Sequence, residues 1–108
     1  EEVLEQIEQA AAASGELVWP LPIPDDKRDE VTQDSRIADL LQHKYVRWGG
    51  SLYAAAFLEQ FTEDIPWAHI DIAGPSFNTG GAWGQTPPGG TGFSVSTLVE
   101  LARNLAEE

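Results

Sequence analysis

The stretch that most limits what this chain can fold into runs from Ile65 to Gly92, IPWAHIDIAGPSFNTGGAWGQTPPGGTG. It opens on alternation, with Ala68, Ile70 and Ile72 on one side and Trp67, His69 and Asp71 on the other. That is the period-two pattern of a strand whose faces meet different neighbours, and a central strand is expected. Gly74-Pro75 breaks it. Beyond the break lie Gly80, Gly81, Gly84, Gly89, Gly90 and Gly92 with Pro87 and Pro88, the composition of a long loop held in special backbone conformations. In α/β folds a loop leaving the carboxyl end of a buried strand is where ligands bind. A flexible surface loop without a site is the other reading, because loops beyond roughly 12 to 15 residues are either functional or disordered.

The flanking segments read mainly as helices. Residues 2 to 14 place Val3, Leu4, Ile7, Ala10 and Ala11 on one narrow stripe, with Gly15 as a left-handed stop and glutamates at the start, where they suit the helix dipole. Leu17 to Pro24, LVWPLPIP, carries three prolines, each lacking the donor a central strand needs, so an extended strap follows. The charge run from Asp25 to Val31 suits one or two helical turns with a solvated face. Ile37, Ala38, Leu40 and Leu41 are too few for periodicity to separate strand from helical turn. Gly49-Gly50-Ser51 reads as a turn with Ser51 capping a helix over Leu52 to Phe61; apolar nearly all round, that helix is expected to be buried on almost every face. Ser94 to Ala106 closes the chain as an amphipathic helix with Val95, Leu98, Val99, Ala102 and Leu105 on one stripe; Thr97 and Glu100 stand at capping-box spacing, and a start at Ser94 is the equal alternative.

Several function classes are disfavoured by composition. Net charge −12 makes nucleic acid and anionic membrane surfaces repulsive partners. His43, Lys44 and Arg47, interleaved with Tyr45 and Trp48, form the one basic cluster, and so short a tract suits an oligomer interface better than base stacking. No apolar run reaches the roughly 18 residues that span a bilayer. The absence of cysteine excludes disulfides and thiolate metal sites and fits a cytoplasmic protein. The chain starts at Glu1-Glu2, without a basic hydrophobic leader or an initiator Met, which suits a processed or truncated product.

Catalytic signatures are sparse. His69 and Asp71 lie two apart on the expected strand, a spacing that suits a base and its orienter or two metal ligands. A metal needs three or four ligands and no others cluster nearby, so a structural pair is the favoured reading. PPGGTG lacks the Lys-Ser/Thr ending of a phosphate-binding loop, and the chain holds no G-x-G-x-x-G, G-x-S-x-G or H-E-x-x-H pattern.

The run Trp67-Ala68-His69-Ile70-Asp71-Ile72-Ala73-Gly74-Pro75 strongly resembles the C-terminal signature of the leucyl (cytosol) aminopeptidase family. The resemblance extends, in the family's order, through Gly15-Glu16 with Trp19-Pro20-Leu21-Pro22, Asp34-Ser35 with Ile37-Ala38-Asp39-Leu40, Gly49-Gly50-Ser51 with Ala54-Ala55, Phe57-Leu58 and Phe61, and Gly89-Gly90-Thr91-Gly92 with Thr97-Leu98. The loop wording SFNTGGAWG is similar to actinobacterial members. The resemblance implies the C-terminal piece of a mixed-sheet, three-layer α/β metallo-exopeptidase domain spanning residues 1–108. Such an enzyme removes N-terminal residues from peptides with two divalent metals, zinc, manganese or magnesium, in a hexameric cytoplasmic assembly. Two metals there hold one bridging water and polarise the scissile carbonyl.

The family's metal-ligand motifs, a Gly-Lys-Gly region and Asn-Thr-Asp-Ala-Glu-Gly-Arg, are absent from this sequence. No catalytic or metal-binding residue is therefore assigned here, and the chain alone is expected to be inactive. What carries over is part of the pocket for the substrate's first side chain, Ala73 and Ser76; burial of a leucine-sized group there is worth roughly 1.5 to 3 kcal/mol. By the same resemblance His69 and Asp71 are scaffold. Pro88 and Ser96 depart from the family, where a lysine and an arginine are common. As a segment, the chain is expected to expose apolar faces on Leu52 to Phe61 and on the first helix, and to self-associate or to pack on the upstream part of the domain. The alternative is a non-enzymatic interaction module, natural or engineered from such a fragment, with Tyr45, Trp48 and Tyr53 as contact anchors. A new catalytic site around His69 and Asp71 is a third reading.

Overall fold

The computed structural model describes residues 1–43 and 48–108. Among them are four helices and one two-stranded sheet, a small mixed α/β arrangement: α1 (Glu2–Ser14), α2 (Asp25–Gln33), α3 (Gly50–Glu59), β1 (Phe77–Asn78), β2 (Gly89–Gly90) and α4 (Val95–Ala106). The chain divides into one unit of Glu1–Trp19 with Ile70–Glu108 and a second of Pro20–His69.

In the first unit α1 packs against α4. The expected α1 stripe is the packing face, with Ile7, Ala10 and Ala11 buried; alanine at the contact permits close helix approach, and Leu4 lies at its exposed edge. Gly15 closes the helix at φ 83°, a conformation that would strain any residue with a Cβ. The Glu16 amide then donates back to the Ala11 carbonyl (3.0 Å), which delivers the Glu16 side chain at the helix end.

α4 does not pack through its apolar stripe. Its buried residue is Thr97, while Val95, Leu98, Val99 and Leu105 are about half exposed and Ala102 is exposed. The reason is polar. Thr97 is tied to the end of α1 through Glu16, and at roughly 100° per residue that turns the Val95–Leu105 stripe to the opposite side. The capping-box spacing of Thr97 and Glu100 is unused: Thr97 is inside the helix and Ser94 is the cap.

In the second unit α2 packs on α3 around Val31, Tyr53 and Ala56, with Ile23, Leu40 and Phe57 against them. The charge run is a helix of nine residues and is more than a solvated face. Val31 is fully buried, and Arg28 reaches across to α3: its Nε donates to Glu59 Oε1 (2.6 Å) and its Nη2 to Glu59 Oε2 (3.2 Å). A third donor, Nη1, bonds the Ile23 carbonyl and Asp25. The Glu59 carboxylate holds the Arg28 guanidinium above its ordinary pKa against the opposing effect of burial, with Asp25 adding to the rise.

Three expectations are corrected in this unit. α3 starts at Gly50 behind Gly49, whose φ is 67°, and Ser51 lies inside the helix. A left-handed glycine makes the turn, and the Tyr53 amide bonds the Gly49 carbonyl, leaving no capping role for the serine. The helix is not buried all round but on one side only, with the exposed apolar face expected of a segment: Tyr53, Ala55 and Ala56 are inside, whereas Leu58 and, just beyond the helix, Phe61 are exposed. A single neighbouring helix covers a single face. Ile37 to Leu41 is neither strand nor helix; Ile37 is almost wholly exposed, and the Leu41 amide bonds the Val31 carbonyl (2.7 Å).

The strap to Pro24 carries no strand, as its prolines require. The expected central strand does not form either. Residues 66–72 belong to no sheet, and burial does not follow their alternation: Trp67, Ala68, His69 and Ile70 are all half-buried. A strand exists through a ladder of partner hydrogen bonds, and the sheet among the described residues is confined to β1 and β2.

Candidate functional site

The glycine loop is built, not slack. Phe77 faces Gly90 and Asn78 faces Gly89 in the antiparallel β1–β2 pair. Inside it Asn78 acts as a brace, its Nδ2 donating to the carbonyls of Gly81 (3.0 Å) and Pro87 (3.2 Å) and its Oδ1 accepting from the Gly80 amide (3.0 Å). At the tip, Trp83 and Thr86 exchange backbone bonds of 3.0 and 2.8 Å around Gly84, whose φ of 52° serves a two-residue hairpin turn. Pro88 and Ser96, the two departures from the family pattern, are both exposed.

Ala73 and Ser76 sit on one tight turn at the loop's entrance. The Ala73 amide donates to Asp71 Oδ1 (2.9 Å), an Asx turn. The Ser76 amide donates to the Ile72 carbonyl (2.9 Å), closing the turn. From the far side of the loop, Thr91 donates its hydroxyl to the Pro75 carbonyl (2.6 Å) and its amide to the Ser76 carbonyl (2.9 Å). Ala73 is exposed and Ser76 half-buried, an arrangement that offers small side chains along an open surface.

The loop leads into the anchored end of α4. Glu16 Oε2 accepts from the Ser94 amide (2.7 Å), and its Oε1 accepts from the Thr97 amide (2.8 Å) and hydroxyl (2.7 Å). A carboxylate from 78 residues upstream thus does the work that a local N-cap side chain usually does, in favourable register with the helix dipole. Partial burial pushes the Glu16 carboxyl up; the bonds from the Thr97 hydroxyl and from the Ser94 and Thr97 amides outweigh it and leave the pKa below its ordinary value.

Chemically this loop carries no acid–base side chain of its own. From Ile72 to Val99 there is no Asp, Glu, His, Lys, Arg, Tyr or Cys. His69 belongs to the second unit and Asp71 to the first, and Asp71 holds the Ala73 amide. No group of three or more His, Asp or Glu side chains placed for a metal occurs among the described residues. Among the described residues, therefore, no donor set is gathered that would hold a divalent metal. Of the aromatic anchors, Trp48 is exposed, Tyr53 is buried with its hydroxyl donating to the Leu41 carbonyl, and Tyr45 lies outside the described residues, as do Lys44 and Arg47 of the basic cluster.

Sequence reasoning missed Glu16, Thr91 and Arg28 as structural determinants. The first two stand in motifs that resemble the family, but their partners are too distant in the chain for any local spacing to reveal.

Comparison with known proteins follows the same segments. The model for the cytosol aminopeptidase family, catalytic domain, matches residues 1–99. A protein of Rhodococcus erythropolis named "Probable cytosol aminopeptidase" is 39% identical over 107 residues, covering 98% of this chain and 21% of the relative. One of the same name from Mycobacterium tuberculosis H37Rv is 45% identical over 94 residues, covering 86% and 18%. Among solved structures, the bottromycin maturation enzyme BotP superposes with a TM-score of 0.89 at 36% identity, over 99% of this chain and 23% of that one. The same enzyme in complex with Mn gives 0.88 at 36% identity, over 97% and 23%. This chain spans about a fifth of the length of the curated relatives it matches.

Proposed function

Because this chain belongs to the cytosol aminopeptidase family, we propose that it is the C-terminal segment of a leucyl aminopeptidase catalytic domain, a three-layer α/β metallo-exopeptidase that removes N-terminal residues from peptides. In this reading residues 1–108 contribute part of the wall of the first-side-chain pocket, Ala73 and Ser76, together with assembly surface. The two divalent metals, zinc, manganese or magnesium, are held by residues upstream of this chain, and the enzyme works as a cytoplasmic oligomer. The segment by itself is inactive. No helix among the described residues is long and apolar enough to cross a membrane, in keeping with this placement.

The observation that carries the reading is the outward apolar stripe of α4, Val95, Leu98, Val99 and Leu105. A folded unit that turns its amphipathic helix this way leaves burial energy unused, at about 25 cal/mol for each Å² of apolar surface, and such a face suits a segment that packs on more of its own domain. The exposed Leu58 and Phe61 at α3 support it in the second unit.

The test is hydrolysis of a leucine anilide with added Mn²⁺ or Zn²⁺, with bound metal quantified, on this chain and on the full polypeptide that carries it. Turnover by the full polypeptide and none by the chain is expected. Metal-loaded turnover by the 108-residue chain would overturn the assignment and place a new site here. The interaction-module reading retains Trp48 as an exposed anchor; Trp48→Ala leaving self-association and every partner affinity unchanged would remove it.

A further inference from the structure

Thr91 makes two bonds that bracket a single residue. Its hydroxyl holds the Pro75 carbonyl (2.6 Å), in the peptide plane preceding Ser76. Its amide holds the Ser76 carbonyl (2.9 Å), in the plane following. The Ser76 amide is held in turn by the Ile72 carbonyl (2.9 Å). With both flanking peptide planes held, φ and ψ of Ser76 are restrained, and with them the direction of its Cα–Cβ bond. The Thr91 hydroxyl both donates and accepts, since it also takes a bond from the Phe93 amide (3.3 Å). At the other end of the same turn Asp71 fixes Ala73 through its amide. Thr91 is itself anchored, because three residues later the chain enters the Glu16 clasp at Ser94.

We propose that Thr91 is a positioning residue for the first-side-chain pocket: by clamping the peptide planes on either side of Ser76 it sets the pocket's depth, and so the preference for a leucine-sized N-terminal side chain over a smaller one. This rests on the assignment of Ala73 and Ser76 to that pocket. Discrimination between apolar side chains depends on sub-ångström fit, since each buried methylene contributes little and a slack wall forfeits it. Thr91 touches no reacting atom; it acts through Ser76.

The experiment compares kcat and KM for leucine and alanine anilides in the full polypeptide carrying this chain, as wild type, Thr91→Val and Thr91→Ser. Valine keeps the volume and the backbone amide bond but loses the hydroxyl; serine keeps the hydroxyl. The expected result is an about fivefold loss of leucine-over-alanine preference in Thr91→Val, the size of one lost neutral hydrogen bond. It arises mainly from a higher KM for the leucine substrate and is restored in Thr91→Ser. An equal fall for both substrates, or a loss of preference that serine fails to rescue, would reduce Thr91 to a structural residue and overturn the proposal. A wild type that is active but shows the same preference as Thr91→Val overturns it too. A wild type with no aminopeptidase activity instead overturns the assignment on which it rests.

Discussion

Replacing Glu16 by alanine should be the most damaging single change to the α1–α4 unit outside its apolar contact. The carboxylate accepts three hydrogen bonds at 2.7 to 2.8 Å and acts as the N-terminal cap of α4. Loss of a cap costs about 1 kcal/mol. The Thr97 hydroxyl, in a residue 1% exposed, would then lack its charged acceptor. Ser14 Oγ stands 3.3 Å away and can take part of the load, so that penalty falls at the low end, about 1 kcal/mol. The sum of about 2 kcal/mol corresponds to a drop in Tm of about 10 °C for a unit of this size. The assay is thermal and urea unfolding followed by far-UV circular dichroism, with hydrogen exchange at the Thr97 amide as a local readout.

The pH dependence has a definite sign. Folding lowers the Glu16 pKa below its ordinary 4.5, so its contribution is complete above the unfolded value and is lost as pH falls through the lower, folded value. The stability gap between wild type and Glu16→Gln should therefore be constant near neutrality and close in acid below about pH 4.5. A loss of less than about 0.5 kcal/mol in Glu16→Ala, with Thr97 protection unchanged, would refute the cap; a gap that widens in acid would refute the linkage.

The second unit yields two further expectations. Val31→Ala removes two methyl groups from a fully buried site and should cost about 2 kcal/mol, read as a lower urea midpoint at unchanged slope; a smaller slope would mean that α2 no longer joins the cooperative unit. The Arg28–Glu59 pair is part-exposed, with side chains 37% and 25% accessible, so a double-mutant cycle should return about 1 kcal/mol or less. Arg28→Lys should not recover it, because one ammonium cannot reproduce the fork to Glu59 with a third arm to Ile23. A coupling of zero would leave the helix contact to Val31, Tyr53 and Ala56 alone.

Much of the local structure was legible in the residues themselves. The stripe of α1 and its stop at Gly15, the proline strap and the glycine loop all follow from interactions among near neighbours in the chain, which spacing encodes. The family was legible too, because its signature is contiguous from Trp67 to Pro75. Other features depended on partners that spacing cannot supply. The alternation from Trp67 to Ile72 describes a strand only when neighbouring strands complete its ladder, and the period of a pattern says nothing of whether they are present. The stripe on α4 was legible as apolar, but which face packs in this unit was not, because the rotation of the helix is decided by Glu16 gripping Thr97 across some 80 residues. Likewise Ser76 could be named from a motif, whereas the residue that orients it, Thr91, emerges only when the loop folds back on its own entrance. Short-range chemistry selects the elements and the fold-back bonds aim them, since side-chain direction is set by contacts between segments that the sequence keeps far apart.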